Sequence, residues 1–227
     1  GGGAIYFDEH MLGWELVLSR KRLPLSSLGK YTRRICESAA TGLSQTFAID
    51  ARFRPRNDIE VAGRKLSGTG GFFDGDTLFF QGTLLIDADP AAVVSYLNVP
   101  HAKIERHALD RAEARMTSLA ALIERSPDVE TVQRAIAAGL ADGLGLDIEA
   151  GNVTSLEEDR AAALFGAEIG TDAFVYEIDT PMSGEHHEGL ATAPGGTVRV
   201  HVRCDGVGVA RRIQDVMITG DFFVTPP

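Results

Sequence analysis

The sequence predicts an α+β fold in which helices pack on a mixed or antiparallel sheet. Two observations predict this class: several short segments alternate apolar and polar residues as strands do, and others repeat apolar residues at helical spacing. A chain of 227 residues is long enough for one large domain, or for one domain with a small appendage. The hydrophobic content of 44% and the charged content of 24% are those of an ordinary globular protein.

The clearest predicted helix spans residues 25–42. Leu28, Ile35 and Ala39 share one of its faces, and Gly42 is predicted to end it. The other predicted helices begin after Asp89-Pro90, after Ser126-Pro127-Asp128, and at a capping box formed by Ser155 and Glu158.

Strands are predicted over much of the remaining chain. Residues 59–68 are typical of a hairpin that turns at Ala62-Gly63. The glycines at 68, 70 and 71 are predicted to break regular structure, and residues 77–87 then form a strand apolar enough to be buried on both faces. Further strands are predicted at residues 48–55, 146–153 and 172–179, and a second hairpin at residues 197–206 and 212–219.

Charge and cysteine content exclude some classes of protein. A net charge of −10 and a pI near 5.0 argue against a nucleic-acid-binding protein, because phosphates require a basic surface. No apolar run approaches the ~20 residues that span a bilayer, and no signal peptide is visible, so no membrane partner is predicted. Two cysteines are too few for a disulfide framework, which predicts a reducing, cytoplasmic location.

Lys65 is the strongest candidate for chemistry, because it directly precedes a glycine-rich stretch. An isolated lysine is usually a solvated surface charge, but Gly68, Gly70 and Gly71 allow a ligand to approach the backbone closely. The apolar strand that follows would supply a wall. A cation beside an apolar channel suits a substrate with an anionic head and an apolar tail. It also suits the transition state of adenylation, in which charge builds on phosphoryl and carboxyl oxygens.

Four motifs occur in the order and approximate spacing of one known family. They are GGGAIYFD at residues 1–8, RNDIEV at 56–61, GRKLSG at 63–68 and QGTLLID at 81–87. The family's usual forms are RRxxGGGAVYHD, a Gly-Arg-Asn-Asp-like corner, GRKxSGxA and HHGTLLL. The chain therefore resembles the lipoate–protein ligase A family. Residues 114–123 look like that family's RVTNL segment, and residues 216–223 resemble the entry to its accessory domain.

The resemblance implies the fold of biotin and lipoate protein ligases, which is related to class II synthetases. It also implies a two-step reaction. Lipoate and ATP would give lipoyl-AMP, and a lysine of a lipoyl carrier domain would then attack the adenylate. The implied partners are carriers of the 2-oxoacid dehydrogenase or glycine cleavage H protein type.

The resemblance assigns roles to individual residues. Lys65 would contact the lipoyl carbonyl and the α-phosphate, and would hold the mixed anhydride rather than act as a nucleophile. Asp58 would bind Mg²⁺, which proteins hold with one or two carboxylates plus phosphates. ATP and lipoyl-AMP would be bound by Gly2, Gly3, Ala4, Ile5, Tyr6, Asn57, Lys65 and Gly68. The lipoate pocket would be lined by Lys65, Gln81, Gly82 and Thr83.

Four residues depart from the family pattern. Gln81 and Phe7 stand where the family usually has His, Met11 stands where Asn is common, and Phe72 occupies a position that is often polar or basic. The arginine pair that normally precedes the three glycines is absent from this sequence. These departures leave the acyl substrate open between lipoate and octanoate.

Two other functions stay open. An octanoyl or lipoyl transferase of the same superfamily would use a Cys or an acyl-carrier donor without ATP, but Cys36 falls in a predicted helix and Cys204 in a predicted strand. A non-catalytic homologue would keep the fold and bind acyl-carrier domains. The Glu-His-His-Glu run at residues 185–188 indicates a metal site only weakly, because adjacent ligands in a flexible linker are poorly preorganised.

The composition shifts at Thr180 to a stretch rich in Gly, Pro, Ser and Ala. This shift predicts a catalytic domain at residues 1–179, a linker at 180–196 and part of an accessory domain at 197–227. Because the chain begins without an initiator Met, the N-terminal part of the catalytic domain is predicted to be missing.

Overall fold

The structure is a computed structural model that describes residues 6–96, 114–176, 184–193, 196–206 and 211–220. The described residues up to Glu149 form one compact unit, and those from Ala150 onwards form a second. This division comes before the linker that the composition predicts at residues 180–196. No helix within the described ranges combines the length and the apolarity needed to cross a membrane.

The larger unit is built on a five-stranded antiparallel sheet with the strand order β1-β5-β4-β3-β2. Its strands are β1 (Met11–Ser19), β2 (Ala51–Arg54), β3 (Asp58–Val61), β4 (Arg64–Asp74) and β5 (Thr77–Leu85). Its helices are α1 (Leu28–Phe47), α2 (Pro90–Tyr96), α3 (Leu119–Ile123) and α4 (Val129–Leu144). The predicted helices after Asp89-Pro90 and after Asp128 are confirmed, the second with the Asp128 side chain as its N-cap.

Helices α1 and α4 contact each other through glycines. A β-carbon on Gly42 would lie 2.0 Å from the carbonyl oxygen of Ala135, and one on Gly139 would lie 2.3 Å from that of Ser38. Only glycine allows the two backbones to approach this closely. Gly42 therefore serves the contact between helices. The prediction that it ends α1 is wrong, because the helix continues to Phe47.

One face of the sheet packs against the hydrophobic core, and the opposite face is called the open face below. In β5, Leu78, Phe80 and Leu84 are fully buried on the core side, whereas Gln81 on the other side is exposed. The prediction that this strand is buried on both faces is therefore wrong. The largest fully buried core side chains include Tyr31, Ile35, Leu43, Ile59, Leu66, Leu119 and Val132.

Glycine does not interrupt β4, contrary to the prediction. Gly68, Gly70 and Gly71 pair with β5 residues, because the ladder requires backbone groups and no side chains. The predicted turn at Ala62-Gly63 is confirmed, and both residues have positive φ, 50° and 78°. Strand β1 was not predicted, although its even-numbered residues from 12 to 18 are all apolar and face the core.

The second unit contains α5 (Ser155–Leu164), a π-helical turn (Phe165–Ile169), α6 (Asp172–Val175) and an antiparallel sheet of β6 (His187–Ala193), β7 (Gly196–Asp205) and β8 (Arg212–Gly220). The predicted hairpin of the last two strands is confirmed. Strand β6 lies inside the predicted linker, because its backbone pairs with residues 196–202 of β7.

Three further predictions in this part of the chain need correction. The capping box of α5 is formed by Thr154 and Glu157, one residue before the predicted pair. Residues 172–175 are helical rather than extended, because the Thr171 hydroxyl caps the backbone N–H of Phe174. Residues 146–153 have no regular secondary structure, and their Asp, Asn and Gly residues are of types disfavoured in strands.

Candidate active site on the open face of the sheet

Lys65 lies near the start of β4 and is paired with an acidic residue of the neighbouring strand. Its amine Nζ is 2.9 Å from Oδ1 of Asp58. The two side chains are 37% and 17% exposed, so this ion pair is shielded from solvent more than a typical surface pair. The amine also lies above Gly68, where a β-carbon would be 2.7 Å from Nζ. The structure therefore brings together three of the predicted site residues.

Asp58 is bound by two cations. Its second oxygen, Oδ2, accepts a hydrogen bond of 2.7 Å from Nη2 of Arg54, which is the last residue of β2. Nη1 of Arg54 donates to Glu60 at 3.4 Å and to the carbonyl oxygen of Gly63 at 3.3 Å. Sequence analysis missed Arg54, although its position four residues before Asp58 places it across the turn between β2 and β3.

One cross-strand row joins the predicted ligase residues on the open face. Asp58 is opposite Gly68, Gly68 is opposite Thr83, and Thr83 is opposite Gly13. Gln81 and Gly70 are paired in the next row. The open face thus presents glycines between Lys65 and its predicted substrate-binding neighbours, where a ligand can lie against the backbone.

Gly82 faces the opposite side of the sheet. A β-carbon on it would lie 2.5 Å from the indole ring of Trp14, which packs against the core. Only its backbone is therefore available to a ligand. Sequence inspection could have separated Gly82 from Gln81 and Thr83, since neighbouring residues of a strand point to opposite faces.

The four phenylalanines of β4 and β5 divide between the faces. Phe73 and Phe80 pack with the core, whereas Phe72 is 61% exposed on the open face. The rings of Phe72 and Phe79 stack with centroids 5.3 Å apart and an interplanar angle of 13°. They lie one row beyond Gly70 and Gln81, and they form an apolar platform on the same face as Lys65.

Asn57 holds the corner between β2 and β3. Its amide nitrogen Nδ2 donates to the carbonyl oxygen of Thr69. In return, the Thr69 hydroxyl and backbone N–H both donate to the Asn57 carbonyl, at 2.7 and 2.9 Å. These contacts give Asn57 a structural role beside Asp58, and the predicted contact to ATP stays a prediction.

The backbone of Lys65 is held by a segment that sequence analysis did not connect to it. The Lys65 N–H donates to the Arg115 carbonyl at 2.6 Å, and the Thr117 N–H donates to the Lys65 carbonyl at 2.9 Å. The resulting bridge between Lys65 and Met116 is parallel. The segment that resembles RVTNL therefore fixes the backbone from which the Lys65 side chain projects.

The N-terminal motif is described only from its sixth residue. Gly2, Gly3, Ala4 and Ile5, which are predicted to bind ATP and lipoyl-AMP, lie outside the described residues. The Tyr6 hydroxyl donates to Asp8 at 2.9 Å, and this hydrogen bond raises the pKa of the phenol. The Tyr6 ring stacks on Tyr96 at 5.1 Å, and the Phe7 ring lies over Gly13 on the open face.

Cys36 lies on the core side of the sheet. It is fully buried in α1, and its Sγ is 3.4 Å from the Thr69 hydroxyl. Burial raises the pKa of this thiol to about 11, which keeps it neutral. Cys204, the second cysteine of the chain, lies in β7 of the other unit.

Asp58 is a candidate ligand for a metal ion near Lys65, because its carboxylate contacts the Lys65 amine. Within the described part of the chain, no three His, Cys, Asp or Glu side chains form a cluster suited to a metal ion. Mg²⁺ does not require such a cluster, since one or two carboxylates and the phosphates of a nucleotide suffice. Both oxygens of Asp58 already contact cations, so a metal ion would have to displace one of them.

Comparisons with known proteins bear on the family and the fold of the chain. Residues 1–141 match the family model of the lipoyl protein ligase A/B catalytic domain. The lipoate-protein ligase LplJ of Bacillus subtilis is 28% identical to this chain over 124 residues. The match covers 55% of this chain and 36% of the ligase, so it spans about a third of the ligase's length. The octanoyltransferase LipM of Symbiobacterium thermophilum is 29% identical over 192 residues, 75% of this chain and 70% of that protein.

Two solved structures share the fold. A bipartite lipoate protein ligase from Thermoplasma acidophilum, studied with its E2 lipoyl domain, superposes with a TM-score of 0.66 at 22% identity, covering 77% of this chain and 67% of that one. A lipoate-protein ligase A bound with ATP superposes with a TM-score of 0.63 at 20% identity. The superposition covers 77% of this chain and 68% of that ligase. The predicted fold class is thereby confirmed. The family model matches more than half of the residues of this chain. The chain therefore belongs to the lipoyl protein ligase A/B catalytic domain family.

Proposed function

We propose that the chain is the catalytic part of an ATP-dependent lipoate–protein ligase. One observation carries this proposal: the Lys65 amine lies over Gly68 on the open face, 2.9 Å from Asp58 and beside a surface of glycine backbone. A cation above bare backbone can contact two anionic groups at once, the carboxylate of an acid and the α-phosphate of ATP.

The reaction has two steps. In adenylation, a carboxylate oxygen of lipoate attacks the α-phosphorus of ATP, and the bond to pyrophosphate breaks. In transfer, the amine of a carrier lysine attacks the acyl carbonyl, and the bond to AMP breaks. Negative charge grows on oxygen in both transition states, and Lys65 would offset it. The ion pair with Asp58 suits Lys65 to this electrostatic role rather than to nucleophilic attack.

The acyl tail would lie along β4 away from Lys65. A β-carbon on Gly70 would meet no atom within 4 Å, so the backbone there is open to a ligand. The stacked rings of Phe72 and Phe79 follow at the next row. Successive rows on one face are ~7 Å apart, so the platform lies ~14 Å from Gly68, and an extended eight-carbon chain that starts between Gly68 and Gly70 can reach its near edge.

Asp58 would hold Mg²⁺ in this proposal. Once bound, the ion would neutralise phosphate charge of ATP. The solved ligase with bound ATP supports ATP as a substrate, and the ligase studied with its E2 lipoyl domain supports a lipoyl domain as the acceptor. A cytoplasmic location also stays a prediction.

The test measures adenylation and transfer separately. Lipoate-dependent exchange of labelled pyrophosphate into ATP reports the first step, and mass spectrometry of a lipoyl domain reports the second. We expect both signals from the protein in its full encoded context. If pyrophosphate exchange is absent with lipoate and with octanoate, the ligase proposal fails.

Octanoyl transfer is the second candidate, because the LipM relative is matched over 70% of its length. A transferase that forms a thioester needs an accessible cysteine with a lowered pKa. Cys36 is buried on the core side and its pKa is raised, which weighs against this reaction. Octanoyl transfer from an octanoyl carrier without ATP would support the transferase. Carrier binding with neither reaction would indicate a non-catalytic homologue.

A further inference from the structure

The contacts of Arg54 exceed those of an ordinary surface arginine. Its side chain is 31% exposed, and its guanidinium contacts Asp58 at 2.7 Å, Glu60 at 3.4 Å and the Gly63 carbonyl at 3.3 Å. These three acceptors lie in β3 and in the turn between β3 and β4. A planar guanidinium that bridges several acceptors has little freedom left, so it fixes the groups around it.

Arg54 acts on Lys65 through Asp58. The carboxylate is shared, with Oδ2 bound to Arg54 and Oδ1 to Lys65. Asp58 has 17% of its side chain exposed, so solvent screens these contacts only in part. Arg54 thereby sets the direction in which Oδ1 holds the amine above Gly68.

Arg54 also changes the charge that Lys65 presents to a ligand. With Arg54 in place, one carboxylate of Asp58 is divided between two cations. Without it, Asp58 would pair with Lys65 alone, and the amine would become half of a neutral ion pair. The negative charge that builds on oxygen in the transition state of adenylation would then be stabilised less.

We propose that Arg54 is a positioning residue of the adenylation site, which orients Asp58 and keeps the Lys65 amine available to an anionic acyl phosphate. This proposal rests on the proposed ligase function. The site residue assignments drawn from the family resemblance do not include Arg54.

The kinetic test compares Arg54→Gln with Arg52→Gln. Arg52 lies two residues earlier on β2 and pairs with Asp50 at 2.7 Å, so it is a matched control for loss of an arginine. Arg54→Gln is expected to lower kcat of lipoate-dependent pyrophosphate exchange by about 10- to 100-fold, with the KM for lipoate nearly unchanged, because the displaced amine acts in the transition state. Arg54→Lys is expected to restore part of the rate by keeping the charge. Unchanged kcat, or equal losses in both Gln variants, would overturn the proposal.

A second readout does not depend on catalysis. Acetylation of Lys65 by a small amine-reactive ester, followed by mass spectrometry of its peptide, reports how tightly Asp58 holds the amine. Lys65 is expected to react several-fold more slowly in Arg54→Gln than in the wild type or in Arg52→Gln. An unchanged rate in a variant with wild-type thermal unfolding would contradict the positioning role, whereas a wild type without pyrophosphate exchange would contradict the ligase function.

Discussion

The amine of Lys65 occupies the space above Gly68 that any larger residue there would need. A β-carbon on Gly68 would lie 2.7 Å from Nζ and 2.9 Å from Cε of Lys65, and 3.8 Å from Oδ1 of Asp58. The close neighbours are the end of a flexible side chain, so the amine would move while the strand stays in place. This relationship separates the position of the amine from the stability of the fold.

Gly68→Ala is therefore expected to impair adenylation with little change in stability. We expect pyrophosphate exchange to fall by about 10- to 100-fold, because small displacements of a charge-stabilising group have effects of this size. Gly151→Ala is the control, since Gly151 is exposed, lies outside any helix or strand, and a β-carbon there would meet no atom within 4 Å. Thermal unfolding of both variants should match the wild type. Equal activity in the two variants would show that the amine position is unimportant.

Lys65→Ala is expected to remove detectable acyl-adenylate formation. The substitution deletes the cation from the open face and leaves the Asp58 carboxylate facing an incoming anion. The measurement is lipoate-dependent pyrophosphate exchange. Lys21→Ala provides the control, because Lys21 is 81% exposed and pairs with Asp76 on the surface. Near-normal exchange in Lys65→Ala would refute the role given to this amine.

Phe72→Ala is expected to affect the acyl tail and not the nucleotide. Loss of the ring removes an apolar contact worth roughly 1–1.5 kcal/mol, so the KM for lipoate or octanoate should rise by about tenfold. The KM for ATP should stay within about twofold. Stability should change little, because the side chain is 61% exposed. An equal rise of KM for ATP would show that the platform does not bind the tail.

The sequence predicted that Lys65 lies beside glycine backbone, because Gly68 follows it by only three residues. The turn at Ala62-Gly63, which brings β4 beside β3, follows from the residue types at the turn. The face that each residue occupies was harder to predict. Phe72 and Phe73 differ only by the parity of their positions, and the core side becomes known only when the helices are placed.

Contacts between distant segments could not be predicted from spacing. The bond from Thr117 to the Lys65 backbone joins residues far apart in sequence, and no residue preference marks a backbone hydrogen bond of this kind. Arg54 was missed for a different reason. A single arginine in a short strand has no distinctive pattern, and its role depends on how Asp58 divides its two oxygens.

Cys36 gives the last prediction, which concerns stability at alkaline pH. Burial raises the pKa of the folded thiol from 9.0 to about 11. Between pH 9 and pH 11, therefore, the Cys36 thiol ionises in the unfolded chain and stays neutral in the folded one. The unfolded state thus loses protons first, and the free energy of unfolding should fall as pH rises from about 9 to about 11, by roughly 2–3 kcal/mol. Urea unfolding of the wild type and of Cys36→Ala across this range isolates the effect, because other titrating groups are common to both. The difference in free energy of unfolding between the wild type and Cys36→Ala should change by roughly 2–3 kcal/mol over this pH range. Parallel stability curves would show that the thiol ionises alike in both states.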